Sequence, residues 1–299
     1  MKNGLVYLKA TMAMLFWALT FVWVKFAFEV YRPMEIVFIR LVLACVILFA
    51  VMLISGHWQK IEPKDWGRFM LVAFCEPFLY FMGETNGLQY VSSTLGSLVI
   101  SVIPLVTALV AWLLLKERIT RWLLVGLLVS FAGVAAMSMA SGDFSATFKG
   151  LALLSLAVVG GMFYAIFVKR LTHSYSALTV VAWQSFFGML YFLPLFAIFE
   201  WKHFAQVPHS MIPLGAVAGM SVFASVGAFL LYTGVIRDLG VVRANIFTNL
   251  IPVFTVVLAY FMLGDRLCLL SSIGLALTIL GLFLSQYPDL RLLRKRLKA

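Results

Sequence analysis

The chain has 299 residues, of which 63% are hydrophobic and 12% are charged, and its formal net charge is +11. This composition excludes an ordinary soluble domain, in which about a quarter of the residues are charged. The positive charge does not indicate a nucleic-acid partner, because the basic residues are scattered through short polar segments and a final C-terminal cluster.

Apolar runs of about 20 residues, long enough to cross a bilayer as a helix, recur along the whole chain. Lipid offers no partner for an unpaired backbone group, so we expect these runs to be α-helices. The predicted spans are residues 8–28, 34–54, 66–88, 91–115, 120–140, 150–170, 176–199, 211–236, 241–263 and 267–287. The sequence therefore predicts an all-α, polytopic membrane protein with ten transmembrane helices embedded in the lipid bilayer.

The basic residues predict the orientation of these spans. With the N-terminus inside, the loops of the opposite side hold only four of the 23 basic residues, namely Arg32, Lys149, Lys202 and Arg266. Positive residues accumulate in cytoplasmic loops, so we predict that both termini are cytoplasmic in a multi-pass cell-membrane protein, the inner membrane in a bacterium. Lys25 lies near the end of a span, and we expect its ammonium group to reach back to the interface.

The chain also contains an internal repeat. At an offset of 148 residues Pro104 aligns with Pro252, and at an offset of 144 residues Arg40 aligns with Gln184. Because each half holds five helices, the second half enters the membrane in the opposite sense, as in many secondary transporters. The predicted division is a first repeat at 1–142, a second repeat at 143–288 and a basic cytoplasmic tail at 289–299.

Four features occur in both halves: a Lys near the end of the first helix, a central Pro in the fourth, an acidic-Arg turn after it and a Gly-x6-Gly spacing in the next helix. The two turns are Lys116-Glu117-Arg118 and Gly264-Asp265-Arg266. In these features the chain resembles the EamA-type branch of the drug/metabolite transporter superfamily. The resemblance implies a membrane carrier, often an exporter of amino acids or related metabolites, although relatives carry sugars and nucleotide sugars. It is specific for the fold and not for the substrate.

Three ionisable residues lie deep within predicted spans, at positions where a charge costs about 2.5 to 3.5 kcal/mol and marks a cavity or an internal pair. Glu76 and Glu84 lie eight residues apart in the third span, and Arg40 is the one intramembrane cation close in depth to both. We favour a pair between Arg40 and Glu84, which leaves Glu76 free to bind a proton or a substrate amine, over the reverse assignment. Proton coupling through Glu76 is a hypothesis, because the Glu that some small relatives carry in the first helix is absent before Glu29.

Three prolines interrupt the helical hydrogen bonding of their spans and are candidate hinges, namely Pro77, Pro104 and Pro252. The alternative is a static bend whose free carbonyl groups are satisfied by neighbouring side chains.

Further candidates for substrate contact are polar or aromatic residues far from the span ends. The amides are Gln184, Asn245 and Asn249, and the aromatic residues are Trp17 and Tyr80. Amides can hydrogen-bond a zwitterion or a sugar, but they also join helices to one another, and aromatic residues often serve only packing.

The predicted function is secondary transport of a small-molecule substrate, and export of amino acids or related amphipathic solutes is the favoured form. A carrier of sugars or nucleotide sugars is the alternative, and a membrane sensor is the alternative outside transport. The four histidines lie in loops or at span ends and the three cysteines lack metal-site spacing, so the sequence predicts neither an enzyme nor a metal or other cofactor. The oligomeric state stays open.

Overall fold

The computed structural model describes residues 2–107, 121–139, 144–240, 244, 247–264, 268–285 and 287. Every regular element within these residues is helical. The α-helices are α1 (Lys2–Ala27), α2 (Pro33–Ile54), α3 (Trp66–Ala73), α4 (Tyr80–Gly87), α5 (Ser93–Ile100), α6 (Arg121–Met139), α7 (Phe144–Thr172), α8 (Ala177–Leu195), α9 (Trp201–Phe204), α10 (Met211–Gly219), α11 (Phe229–Leu239), α12 (Leu250–Leu263) and α13 (Leu269–Ser285). A short 3-10 helix (Pro63–Asp65) precedes α3, and π-helical segments follow α3 (Phe74–Leu79), α8 (Phe196–Glu200) and α10 (Met220–Ala228).

Five helical stretches are long and apolar enough to cross a membrane: Gly4–Ala27, Pro33–Ile54, Thr147–Thr172, Ala177–Phe204 and Met211–Leu239. Shorter apolar helices occur at Ser93–Thr107, Leu250–Leu263 and Ser272–Gly281. For the described residues the prediction of an all-helical membrane protein is therefore confirmed, whereas the count of ten spans and the side of the termini stay predictions. The two acidic-Arg turns, apart from Gly264, and the tail at 289–299 lie outside the described residues.

Helices from the first half of the chain pack against helices from the second half. α1 lies against α12 and the segment Met220–Ala228, α2 lies against α8, and α4 lies against α7. The core is therefore shared between the halves, and the space at their interface is lined by both.

α6 and α13 approach closely because their contact is made by small residues. A Cβ added to Gly133 would lie 2.5 Å from the carbonyl oxygen of Gly274, and one added to Gly281 would lie 2.6 Å from that of Gly126. The Ser130 hydroxyl donates a hydrogen bond to the Thr278 carbonyl at 3.3 Å. Small residues allow this close backbone approach in membrane proteins, and the contact is symmetric at the offset of 148 residues.

Candidate functional site

A cavity lies at the interface of the two halves. Its polar lining consists of Thr20, Arg40, Glu76, Tyr80, Glu84, Tyr164, Tyr232 and Thr248. Its largest apolar side chains are Trp17, Phe21, Phe81 and Phe229, and Pro104 lines it as well. Buried ionisable side chains that converge with aromatic walls at a repeat interface make this cavity the candidate binding site.

Glu76 lies where the third predicted span stops being a regular helix. Its φ of −149° and ψ of 118° are extended, within the π-helical segment Phe74–Leu79, and a cis peptide bond joins it to Pro77. Pro77 has no N–H group, so the helical hydrogen bond would be absent at this point in any case. The break directs the Glu76 side chain into the cavity, where the residue is 8% exposed.

Two glycines of the second half make room for this break. A Cβ on Gly160 would lie 2.8 Å from the carbonyl oxygen of Cys75 and 2.9 Å from the backbone nitrogen of Tyr80. A Cβ on Gly188 would lie 2.2 Å from Cγ of Pro77. Both approaches are closer than a side chain permits, so α7 packs directly on the backbone of the broken segment and α8 packs directly on the Pro77 ring.

Arg40 is 1% exposed and reaches across the interface to the second half. Its Nε donates a hydrogen bond to the Ser225 hydroxyl oxygen at 3.3 Å, and its guanidinium carbon lies 4.6 Å from the ring centre of Phe81. An arginine over an aromatic face is stabilised by the ring quadrupole, which is worth more where water is excluded. Phe81 and Ser225 thus fix the Arg40 side chain in the cavity wall.

Glu84 is the acidic group that acts on the Arg40 charge. No Arg40 nitrogen comes within 4.0 Å of a carboxylate oxygen in the described part of the chain, so Arg40 and Glu84 line the same cavity without a direct ion pair. The Tyr80 hydroxyl donates to Glu84 Oε1 at 3.4 Å. Among the described residues, Glu84 Oε2 and Arg40 Nη1 are both buried without a hydrogen-bond partner.

The aromatic wall joins both halves. Trp17 packs edge-on against Phe229 and Tyr232, with ring centres 5.4 and 4.8 Å apart. Tyr164 also packs edge-on against Phe229, with ring centres 6.2 Å apart. Edge-to-face packing of this kind fixes large rings in place, which gives the cavity a rigid aromatic wall.

The lining follows the internal repeat. At the offset of 144 residues, positions 17, 20 and 21 correspond to 161, 164 and 165, and all six line the cavity. At the offset of 148 residues, positions 81, 84, 100 and 103 correspond to 229, 232, 248 and 251, and these line it as well. The wall residues Tyr164, Phe229 and Thr248 were not predicted from the sequence, and neither were their first-half counterparts Thr20, Phe81 and Ile100, so the repeat offsets alone did not reveal them.

Of the predicted site residues, Trp17, Arg40, Glu76, Tyr80, Glu84 and Pro104 line the cavity. The other described ones do not: Gln184 is buried beside Tyr164, Asn249 is buried next to Thr248, and Pro252 is buried next to Ile251. Pro77 lies behind Glu76, against Gly188. Asn245 lies outside the described residues.

Lys25 differs from the expectation that its ammonium group returns to the interface. Its Nζ donates to the carbonyl oxygen of Leu88 and, at 2.6 Å, to that of Val91. The Ser93 hydroxyl donates back to the carbonyl oxygen of Phe21. The end of α1 and the connection from α4 to α5 are therefore joined by side chains, and Lys25 has protein partners.

Comparison with known proteins places the chain among membrane carriers. The model of the EamA-like transporter family matches residues 4–139 and 148–287. The chain is 28% identical over 249 residues to "Uncharacterized transporter YetK" of Bacillus subtilis, which covers 82% of this chain and 75% of that protein. It is 26% identical over 269 residues to an "Uncharacterized transporter" of Archaeoglobus fulgidus, with 90% and 94% covered.

A third relative carries a more specific name. The "Probable terminal-alkyne amino-acid exporter" of Streptantibioticus cattleyicolor is 27% identical over 198 residues, which cover 66% of this chain and 65% of that protein. One solved crystal structure matches with a TM-score of 0.68 and 17% identity over 94% of this chain and 98% of its own. At that identity the match shows the fold alone.

Proposed function

Because the chain belongs to the EamA-like transporter family and is a multi-pass protein of the cell membrane, we propose that it exports amino acids or related amphipathic metabolites by alternating access. In this proposal the ten predicted helices form two inverted repeats with both termini in the cytoplasm, and the cavity at their interface holds the substrate near the middle of the bilayer.

Two buried atoms that have no hydrogen-bond partner among the described residues, Arg40 Nη1 and Glu84 Oε2, carry the proposal. A buried donor or acceptor without a partner costs about 1 to 3 kcal/mol, and more when it is charged. An α-amino acid carries a carboxylate that Arg40 can bind and an ammonium group that Glu84 can bind. One zwitterion thus supplies both missing partners, whereas a neutral sugar brings no charge to either.

The size of the cavity favours a small solute. Its volume is about 70 Å³, well above the roughly 10 to 15 Å³ that a cavity needs to hold a single water molecule. A small amino acid is closer to this size than a nucleotide sugar, which has many more heavy atoms. The rings of Trp17 and Tyr232 offer an apolar surface for the side chain.

Proton coupling rests on Glu76. The Glu76 carboxylate lines the same cavity and forms no ion pair within the described residues. Buried carboxylates inside membrane proteins that lack a fixed cation commonly relay protons. We therefore assign Glu76 the role of taking up a proton on one side of the membrane and releasing it on the other. The export direction rests on the amino-acid exporter among the relatives.

The experiment reconstitutes the protein in liposomes that contain a pH-sensitive dye. A panel of amino acids, sugars and nucleotide sugars is applied, and the wild type is compared with Glu76→Gln. Glu29→Gln is the matched control, because Glu29 is exposed in the loop after α1. We expect amino acids to drive proton movement in the wild type and in Glu29→Gln and not in Glu76→Gln.

Other outcomes separate the parts of the proposal. Amino-acid transport without proton movement, unchanged in Glu76→Gln, would retain the substrate class and remove the coupling. Transport of sugars or nucleotide sugars, without transport of amino acids, would show that the proposed substrate class is wrong. A protein that responds to no solute in the panel would contradict transport of these solutes.

A further inference from the structure

Two sets of side chains tie α2 to α8 and its flanking segments, one set at each end of α2. The set that we call the histidine latch consists of Tyr31, Glu35, His203 and His209. The set that we call the glutamine latch consists of Gln59, Asp65, Tyr175 and Thr179. α2 has 22 residues and a length of about 33 Å at 1.5 Å per residue. Glu35 lies in its first turn and Gln59 follows its last residue, so the two latches lie at opposite ends of α2.

The histidine latch contains a fully buried carboxylate. The Tyr31 hydroxyl and His209 Nδ1 lie 3.0 Å apart, and His203 Nδ1 lies 2.6 Å from Glu35 Oε1. The backbone N–H of Arg32 donates to Glu35 Oε2 at 2.8 Å, which caps the start of α2. Glu35 is 0% exposed, so water does not solvate its carboxylate, and His203 and the Arg32 N–H group are its hydrogen-bond partners.

The glutamine latch repeats the same contacts with other residue types. The Tyr175 hydroxyl donates to Asp65 Oδ2 at 2.8 Å, and the Thr179 hydroxyl donates to Gln59 Oε1 at 3.2 Å. Adding 144 to the positions 31, 35, 59 and 65 gives 175, 179, 203 and 209. Each contact of one latch is therefore the repeat-related counterpart of a contact in the other.

The two latches differ in their capacity to ligate a metal. Where the glutamine latch has a hydroxyl at 179 and an amide at 59, the histidine latch has Glu35 and His203. Glu200 stands at the position that corresponds to Gly56 in the first half. At these corresponding positions the histidine latch therefore has carboxylate and imidazole groups, which are ligands of zinc and related ions, where the glutamine latch has a hydroxyl and an amide.

Three of these groups converge. Their ligand atoms, one each from Glu35, Glu200 and His203, all lie within 4.8 Å of one another. The Glu200 and His203 side chains are only 14% and 26% exposed. Ligands that hold one zinc ion at about 2.0 to 2.2 Å lie about 3 to 4 Å apart, so small side-chain rotations bring the three atoms to that spacing.

We propose that Glu35, Glu200 and His203 form a binding site for a divalent transition-metal ion of the Zn²⁺ class. The imidazole ligand favours Zn²⁺, Co²⁺ or Ni²⁺ over Mg²⁺ and Ca²⁺, which take oxygen ligands alone. The ion joins the start of α2 to the segment after α8, and thereby one half of the chain to the other. This site is separate from the cavity and does not depend on the identity of the substrate.

One cation competes with the metal for Glu200. Arg32 Nη1 lies 3.1 Å from Glu200 Oε2, and the Arg32 side chain is 52% exposed. An exposed ion pair of this kind contributes about 0 to 1 kcal/mol, so Arg32 can turn to water when the metal binds. Arg32→Gln is therefore expected to tighten metal binding.

The test is a titration of the purified, tag-free full-length protein in detergent with Zn²⁺ by calorimetry, together with the visible absorption of bound Co²⁺. We expect one equivalent of Zn²⁺ to bind, Mg²⁺ not to compete, and His203→Gln to weaken binding at least tenfold. His203→Gln installs the residue that the glutamine latch carries at the corresponding position. His173→Gln is the control, because His173 is exposed near the other latch.

Folding is checked for every variant by monodispersity and thermal unfolding in the absence of metal. If His203→Gln does not fold, Glu200→Gln tests the same site through a side chain that is less buried than Glu35. Absence of saturable Zn²⁺ binding in the wild type, or binding that persists unchanged in His203→Gln and Glu200→Gln, would overturn the proposal.

Discussion

Arg40 Nε donates a hydrogen bond to Ser225 Oγ at 3.3 Å, so that a buried charge of the first half of the chain is held by a hydroxyl of the second half. Ser225 lies in the π-helical segment Met220–Ala228, at the position that corresponds to Pro77 at the offset of 148 residues. The helix of the second half is thus irregular where the helix of the first half is broken, and the irregular turn presents a partner to Arg40.

Ser225→Ala is predicted to destabilise the protein. The change removes the hydrogen-bond acceptor of the buried Arg40 Nε–H group, and a buried donor without an acceptor costs about 1 to 3 kcal/mol. The matched control is Ser221→Ala, one turn earlier, where the hydroxyl only donates to the carbonyl of Val217 in its own helix. The free energy of unfolding in mixed detergent micelles measures both, and an equal loss in the two variants would contradict a role for the Arg40 contact.

The Arg40 and Glu84 side chains are predicted to be energetically coupled. Glu84→Gln removes the acidic group that acts on the Arg40 charge, and Arg40→Gln removes that charge. The double variant is expected to lose at least 0.5 kcal/mol less stability than the sum of the single variants. The same cycle with Arg40 and Glu76 should be additive within about 0.5 kcal/mol. If Arg40 is coupled more strongly to Glu76 than to Glu84, Glu76 is the partner of Arg40 and Glu84 is the free carboxylate.

The five helical stretches that are long enough to span a membrane were readable from the sequence, because these apolar runs are long and separated by polar residues. The irregular turns were less readable. Pro77 signals a disturbance next to Glu76, but the segment Met220–Ala228, which packs against α1 and α2, contains no proline that would signal its irregularity. The Lys25 contacts were also missed, since an ammonium group near a span end can reach either the interface or the carbonyls of a neighbouring loop.

The charged part of the site was predictable for an energetic reason. A charge within a membrane span is expensive, so Arg40, Glu76 and Glu84 stand out in the sequence. Aromatic residues make up 15% of the chain, and Tyr164 and Phe229 could not be told from packing residues without the fold. The cluster of Glu35, Glu200 and His203 was missed because its members lie far apart in the sequence, so that no local spacing motif reveals them.

Gly160→Ala is predicted to destabilise the protein and slow transport. The new methyl group would meet the backbone of Cys75 and Tyr80 at 2.8 and 2.9 Å, so α7 must move away from the segment that carries Glu76. Overpacking of this kind costs about 1 to 3 kcal/mol. Gly215→Ala is the control, because a Cβ there has no atom within 4 Å. Thermal unfolding and liposome transport measure both effects, and a Gly160→Ala protein as stable and active as Gly215→Ala would contradict the close approach.

Alkaline pH is predicted to weaken the histidine latch through Tyr31. Burial, and next the negative charge of Glu35, raise the pKa of Tyr31 above its usual value. A group whose pKa is higher in the folded state stabilises that state fully below the unfolded pKa, here about 10, and loses this contribution as the pH rises through the folded pKa. We therefore expect the unfolding midpoint to fall more steeply above about pH 10 in the wild type than in Tyr31→Phe. Tyr287→Phe, which alters a tyrosine with 45% exposure, is the control and should follow the wild type. If Tyr31→Phe follows the wild type as well, the Tyr31 hydroxyl makes no contribution to the alkaline loss of stability.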